Sequence, residues 1–200
     1  MLKKILLVFL ACLFVFAGLK ADAANETADE AKIKAVIKEA FITEQLAYAT
    51  TVEHGGQAFQ GKPAIDAFTE LEIYINNKKG YLDHLKRFID LKEGNEKLHF
   101  AKVKKRHFRE FDFKSITIDG DTATVEVDNY VEVTTTIGST QSIEFITDEK
   151  GNLIDKRIND TPEHDWVILG GYKHFISLER INSRWQIVWD DWGFLPGYGP

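Results

Sequence analysis

Cysteine is almost absent from this chain of 200 residues, in which Cys12 is the only one. One thiol cannot form an internal disulfide, and a metal site made of several cysteines is excluded for the same reason. The six histidines are scattered, and no three-to-five spacing places two of them on one helical face. Serine-hydrolase, phosphate-loop and dinucleotide-binding motifs are missing as well. The sequence therefore predicts no metal and no cofactor, and no motif in it dictates a reaction.

The first 23 residues have the three-part pattern of a secretory signal peptide. Lys3 and Lys4 form a basic start, residues 5–19 are an apolar run, and residues 21–23 (Ala-Asp-Ala) form a small-x-small cleavage site. We expect cleavage after Ala23 and a protein that is secreted or associated with the cell envelope. An uncleaved membrane anchor stays open as the alternative, although the apolar run is shorter than the roughly 20 residues that span a bilayer. Lipidation of Cys12 is disfavoured because bulky apolar residues flank it.

Excess negative charge excludes another class of function. The formal net charge is −6, and loss of the signal segment with Lys3, Lys4, Lys20 and Asp22 makes it −8. Nucleic acid is a poor partner for such a chain, and membrane contact is expected only through the signal segment. An exported chain that keeps no cysteine is typical of a bacterial envelope or exterior protein. The length that remains predicts one domain.

The apolar periodicity predicts helices first. Spacings of three and four indicate one helix from residue 30 to near residue 54, a second over residues 64–76 and a third over residues 81–92. Residues 24–29 are small and polar, which predicts a short disordered leader. We therefore expect a folded domain over residues 30–192 and a C-terminal tail over residues 193–200.

After residue 96 the period changes to two, which predicts strands. The expected strands cover residues 97–114, 116–118, 122–136, 141–147, 153–158, 172–181 and 185–192. Asp119-Gly120 is a strong tight-turn signal. In the strand after it, one face should carry Val125, Val127, Asn129, Val131 and Val133, and the four valines should be buried together.

The order of these elements resembles the nuclear transport factor 2-like superfamily, which includes ketosteroid isomerase-like and scytalone dehydratase-like proteins. The resemblance depends on residues 30–192 and on the closing strands, His-Phe-Ile-Ser-Leu-Glu-Arg at 174–180 and Trp-Gln-Ile-Val-Trp-Asp-Asp at 185–191. It implies an α+β fold in which N-terminal helices pack on a strongly curved antiparallel sheet and close a cone-shaped pocket. The 116–127 hairpin and the last two strands are also similar to the N-terminal domain of secreted Gram-positive amidase-domain proteins, without the amidase region.

Three polar residues are candidates for that pocket. Asn129 shares a face with valines, and His174 is in phase with Tyr172 and Ile176. Asp190 and Asp191 suggest a carboxylate pair, but neighbouring strand residues face opposite sides, so only one can enter. Asp191 is the expected one, since it is in phase with Trp185. His174 and Asp191 are thus the catalytic candidates of a His-acid pair, and the structural alternatives that the pattern favours are a core histidine and a solvated strand end.

The expected ligand-binding residues are Asn129, Tyr48, Trp185, His174 and Asp191. Lys102, Lys104 and Arg106 should share one strand face, which either binds an anionic wall polymer or protects a sheet edge from aggregation. Aromatic residues near the C-terminus either stack on a ligand or pack over the sheet.

The sequence favours an exported, non-catalytic domain that binds a small molecule, a wall polymer or a protein partner, with a homodimer formed through its sheet as a further option. The alternative is a small enzyme of dehydratase or isomerase type. Fold alone does not choose between them.

Overall fold

The computed structural model describes residues 27–87 and 101–198 as a mixed α+β fold. The expected signal peptide, half of the expected leader and the end of the third helix lie outside the described residues. The elements are α1 Ala28–Gln45, β1 Thr51–His54, β2 Gln57–Gln60, α2 Ala64–Leu71, a 3-10 helix Asn77–Lys79, α3 at residues 81–87, β3 Ala101–Asp119, β4 Thr122–Ile137, β5 Thr140–Thr147, β6 Leu153–Thr161, β7 His164–Ile181 and β8 Arg184–Phe194.

A large curved sheet contains six of the strands in the order β2-β1-β3-β4-β7-β8. Neighbouring strands are antiparallel except β1 and β3, which are parallel. Strands β5 and β6 form a separate two-stranded sheet. The contacts divide the chain into Met1–Ala35 and Val36–Pro200, and every strand belongs to the second unit. Within the described residues, no helix is long and apolar enough to cross a membrane.

Helix α1 begins at Ala28, which is earlier than the apolar pattern predicts. The Thr27 hydroxyl accepts a hydrogen bond from the Glu30 amide at 3.2 Å, and the Glu30 carboxylate accepts one from the Thr27 amide at 2.7 Å. These reciprocal bonds form a capping box, which satisfies two amides that the first turn leaves without helical partners. Ala28 and Asp29 are therefore helical, not part of a disordered leader.

The expectation that the first helix continues to near residue 54 is wrong. Helix α1 ends at Gln45, and β1 pairs with β2 across Gly55 and Gly56. Both glycines have positive φ, at 56° and 79°. A two-residue turn with two positive φ values matches the twist of a hairpin, and glycine adopts it without a steric cost.

Helix α2 is also shorter than expected, because pairing with the sheet takes its last residues. The helix ends at Leu71, and Ile75 forms an isolated bridge with Ile187 of β8. The Asn76 amide donates to the Ile187 carbonyl at 2.8 Å, and the Ile187 amide donates to the Tyr74 carbonyl at 2.8 Å. The third helix begins at residue 81, as predicted.

The predicted hairpins are present. Strands β3 and β4 turn at Gly120, β5 and β6 turn at residues 148–152, and β7 and β8 turn at Asn182 and Ser183. Two predicted strands, 97–114 and 116–118, are parts of one strand β3 in its described portion. Strand β7 begins at His164, earlier than the expected residue 172, because it pairs with β4 as far as Ile137.

The valine face of β4 lies in the core over most of its length. Val125, Val127 and Val131 are buried, as is Asn129. The expectation is wrong for Val133, which is only half-buried. Its partner across the sheet is Ile168, which is itself exposed, so the core ends at this point along the strand.

Candidate functional site

A cavity of about 280 Å³ lies in the unit that contains the sheet. Six aromatic side chains line it, together with two aliphatic residues, Leu85 and Val131. The aromatic residues are Phe41, Tyr48, Tyr81, Phe108, Tyr172 and Trp192. The polar and charged residues are Glu44, Gln45, His84, Arg106, Asn129, His174 and Asp190. Concave, largely apolar sites with a few convergent polar groups are typical of small-molecule binding.

Three of these polar side chains and the Tyr81 hydroxyl form one hydrogen-bonded network. His174 Nδ1 lies 2.8 Å from Asp190 Oδ2, and Asn129 Nδ2 lies 3.2 Å from His174 Nε2. The Tyr81 hydroxyl donates to the same Asp190 oxygen at 3.4 Å. The carboxylate accepts, so His174 donates through Nδ1–H and uses Nε2 as the acceptor for the Asn129 amide. Both ring nitrogens are thereby occupied.

The alternation of the strands brings these residues together. Asn129 lies opposite Tyr172, two residues from His174, and His174 lies opposite Trp192. Each of these four lines the cavity, because residues two apart or directly opposite share one face of a sheet. From α1, the Phe41 ring packs on the His174 ring with centroids 4.7 Å apart.

The acid in the cavity is Asp190, so the expectation that Asp191 lies there is wrong. Ser177 pairs with Trp189 but Leu178 pairs with Ile187, which leaves Val188 as the extra residue of a β-bulge. Ile187 and Val188 are both buried. One inserted residue moves every later side chain to the other face. Asp191 is consequently exposed, and its carboxylate accepts a hydrogen bond from Trp189 Nε1 at 3.1 Å.

Of the other predicted site residues, some line the cavity and one does not. Tyr48 lines the cavity, as do Asn129 and His174. Trp185 does not, since it is buried elsewhere with the Arg180 guanidinium 4.6 Å from its ring centroid. The bulge leaves Trp185 and Asp190 on the same buried face of β8, and Trp185 lies outside the cavity because it is further along the strand, opposite Arg180.

The expected basic face of β3 is not formed. A register shift between Val103 and Lys105 interrupts the alternation. Lys104 binds the Asp165 carboxylate at 2.7 Å, whereas Arg106 lines the cavity. The shift separates residues that a simple period of two would place together.

Tyr81, His84 and Arg106 are cavity residues that the sequence analysis missed. Tyr81, His84 and Leu85 are spaced by three and four, so they share one face of α3, and that spacing was the available signal. The run of three apolar residues at 187–189 was the available signal for the bulge, because strict alternation does not produce it.

Burial dominates the electrostatics of the cavity. It raises the pKa of Tyr81 well above 10.0, and the neighbouring Asp190 carboxylate raises it further. Burial likewise raises the pKa of Tyr48, with an added contribution from Glu44. Both phenols therefore stay protonated and can donate hydrogen bonds at neutral pH.

Within this hydrogen-bonded network, two buried acceptor oxygens have no hydrogen-bond partner, Asn129 Oδ1 and Asp190 Oδ1. Unpaired buried acceptors cost free energy, so a partner that donates to them stabilises the site. Within residues 27–87 and 101–198, no three histidine, cysteine or acidic side chains are grouped so that they could hold a metal ion.

Comparison with known proteins identifies no family. No family model matches this chain, and no curated protein matches it either. Among solved structures, it is similar to the intermembrane space region of the chloroplast protein ARC6, with a TM-score of 0.47, 13% identity, and coverage of 86% of this chain and 99% of that one. It is also similar to a putative calcium/calmodulin dependent protein kinase II association domain from Xanthomonas campestris, with a TM-score of 0.28, 12% identity, and coverage of 88% and 91%.

Proposed function

We propose that this protein is an exported, non-catalytic domain of the bacterial envelope or exterior that binds a small molecule in the cavity. The proposed fold is the nuclear transport factor 2-like one, in which helices close the concave face of the sheet to make a cone-shaped pocket. Phe41, Glu44 and Gln45 of α1 line the same cavity as His174 of β7, which supports this arrangement.

The single observation that carries the proposal is the occupancy of both His174 nitrogens. A general base needs a free lone pair within reach of the proton that it takes. The Nε2 lone pair of His174 accepts the Asn129 amide, and Nδ1–H donates to Asp190. The network therefore places mutually hydrogen-bonded polar groups among the aromatic side chains that line the cavity, which suits binding better than proton transfer.

The size of the cavity and the side chains that line it limit the kind of ligand. Its size is limited by the cavity of about 280 Å³, which is near the lower end of small-molecule sites. The aromatic side chains favour a ring compound, and the polar side chains that line the cavity, among them Asn129, His174 and Asp190, favour a ligand that carries hydroxyl or amine groups.

The test is a binding measurement with small ring alcohols and amines, such as cyclohexanol, phenol and indole, by calorimetry and by NMR line shifts. We expect binding that Asn129→Ala weakens about tenfold, the effect of losing one buried hydrogen bond. Asp191→Ala is the matched control, and it should leave the affinity unchanged because Asp191 is exposed. Equal effects of the two variants, or shifts confined to residues outside the cavity, would contradict the proposal.

A small dehydratase or isomerase is the second candidate, and the 2.8 Å bond between His174 and Asp190 favours it. If a ligand displaces the Asn129 amide, Nε2 becomes able to take a proton while Asp190 stabilises the imidazolium. The test is hydrogen–deuterium exchange next to the carbonyl of cyclohexanone, together with enone formation from 4-hydroxy-2-butanone. Turnover that His174→Gln abolishes would replace the binding proposal with the enzyme.

Export is proposed on the signal pattern of residues 1–23, which lie outside the described residues. Mass spectrometry of protein from the culture medium and envelope of a bacterial host should show Ala24 as the first residue. Retention of Met1 in that fraction would contradict cleavage and favour the anchor. A wall polymer or a protein stays as an alternative ligand, and pull-down with purified wall material tests the first.

A further inference from the structure

Strands β5 and β6 continue the ribbon that β4 and β7 begin. Ile137 pairs with His164, and Thr140 pairs with Thr161, so two residues separate the ribbons on each strand. We call the β5–β6 ribbon, Thr140–Thr147 with Leu153–Thr161, the arm.

One face of the arm exposes four apolar side chains. Ile143 pairs with Ile158, Phe145 lies two residues further along, and Leu153 pairs with Thr147 on the same side. Their exposed fractions are 55%, 54%, 64% and 61% in the order Ile143, Ile158, Phe145, Leu153. The opposite face contains the ion pair between Glu144 and Arg157 at 3.7 Å.

The exposed apolar side chains of the arm would be stabilised if another surface buried them. An isolated two-stranded ribbon is marginally stable in water, and a ribbon with one apolar face gains stability when that face is buried. Phe145 alone, at 64% exposed, presents roughly 100 Å² or more of apolar surface. A contiguous exposed patch of several such side chains marks an interaction surface.

The charged residues on this face are placed so that two copies of the face complement each other. Lys156 and Asp160 lie two residues before and two residues after Ile158, so all three side chains share the apolar face. Two arms can stack face to face about a two-fold axis that lies midway between them and passes at Ile158. The strands of the second arm then run in the opposite direction to those of the first. This arrangement places Lys156 of one copy over Asp160 of the other, and the same pair forms again on the opposite side of the axis.

We propose that two copies of this chain dimerise by stacking the apolar faces of their arms about a two-fold axis at Ile158. Each copy buries Ile143, Phe145 and Ile158 and forms two reciprocal Lys156–Asp160 ion pairs with the other. The interface is isologous, so the same patch serves both copies and the assembly closes at two. Aligned stacking of sheets is a standard packing mode. The dimer is independent of the ligand that the cavity binds.

Charge reversal in the full chain tests the pairing. Sedimentation equilibrium over a range of concentrations should show a dimer, and Lys156→Asp or Asp160→Lys should each raise its dissociation constant about tenfold, since each sets two like-charge contacts in place of two ion pairs. The double variant Lys156→Asp/Asp160→Lys should restore the dissociation constant to within about threefold of the wild type. Asp155→Lys, on the opposite face, is the matched control and should change nothing.

Cross-linking tests the axis without a change of charge. In a Cys12→Ser background, Ile158→Cys should cross-link to a dimer with a short bis-maleimide, and Asp155→Cys should not. A wild type that is monomeric at every concentration, or a double variant as weak as the single ones, would overturn the proposal. So would a monomer that binds vesicles of phosphatidylglycerol and phosphatidylcholine through Phe145, which would assign the apolar face to a lipid surface.

Discussion

His174 Nδ1 lies 2.8 Å from Asp190 Oδ2, and the two side chains are among the few buried polar groups of the described chain. The carboxylate holds the imidazole proton on Nδ1, which leaves Nε2 to accept the Asn129 amide. The orientation of the whole hydrogen-bonded network therefore depends on one acid, Asp190.

Asp190→Ala should destabilise the protein by about 1–3 kcal/mol, because it leaves the buried Nδ1–H of His174 without an acceptor. Asp191→Ala removes an exposed carboxylate with the same side-chain chemistry and should cost less than about 0.5 kcal/mol. Urea unfolding of both variants at neutral pH measures the difference. The reverse order of the two costs would mean that the bulge at Val188 is misplaced.

The phenol of Tyr81 should make the protein sensitive to alkaline pH. Burial and Asp190 raise its pKa well above 10.0 in the folded state, whereas the unfolded chain releases the proton near pH 10. The stability contributed by the protonated phenol is fully present below pH 10 and is lost as the pH rises above it. For this proton alone, the free energy of unfolding should fall by about 1.4 kcal/mol per pH unit.

Tyr81→Phe checks this slope by urea unfolding between pH 7 and pH 11. The variant should lose stability less steeply than the wild type above pH 10, and the two slopes should agree between pH 7 and pH 9. Parallel curves over the entire range would show that Tyr81 ionises in the folded state as it does in the unfolded one.

Val127→Asp should destabilise the protein by several kcal/mol or prevent folding, because Val127 is 0% exposed and the new carboxylate would be buried without a partner. Thr124→Asp places the same charge on an exposed position of β4 and should change stability by no more than about 0.5 kcal/mol. Thermal unfolding monitored by circular dichroism compares the two. An unchanged melting temperature for Val127→Asp would mean that the faces of β4 are reversed.

The C-terminal tail should depend on Gly171. The Leu195 amide donates to the Gly171 carbonyl at 2.9 Å, and a Cβ at Gly171 would lie 2.8 Å from the Tyr198 ring. Gly171→Ala should therefore cost about 1–2 kcal/mol. Gly193→Ala is the control, since its added Cβ has no atom within 4 Å.

A double-variant cycle then separates steric clash from backbone strain. In a Tyr198→Ala background most of the cost of Gly171→Ala should disappear, because the ring that it meets is gone. Additive costs would mean that the tail does not pack on β7. The Tyr130 and Tyr198 rings, with centroids 5.7 Å apart, indicate that it packs over the sheet.

Several features of this fold could be predicted from the sequence, because they depend only on residues that are close together along the chain. Asp119-Gly120 specifies a tight turn wherever it occurs between strands, and the alternating valines of β4 bury one face, so both features were predictable from neighbouring residues. The start of α3 at residue 81 and the placement of Asn129 and His174 in one cavity follow from the same periodicities.

Tertiary structure decided the rest. Residues 51–54 follow an apolar helical pattern and were expected to end the helix, yet they pair with β3, because ladder bonds to a neighbouring strand outweigh a weak helical preference. The choice of Asp190 over Asp191 depends on one bulged residue, Val188, whose presence reflects how β8 fits β7. Strand alternation with a period of two predicts which residues share a face only as far as the first β-bulge. The sequence therefore determined that an acid follows Trp189, and only the packing of the two strands decided which acid meets His174.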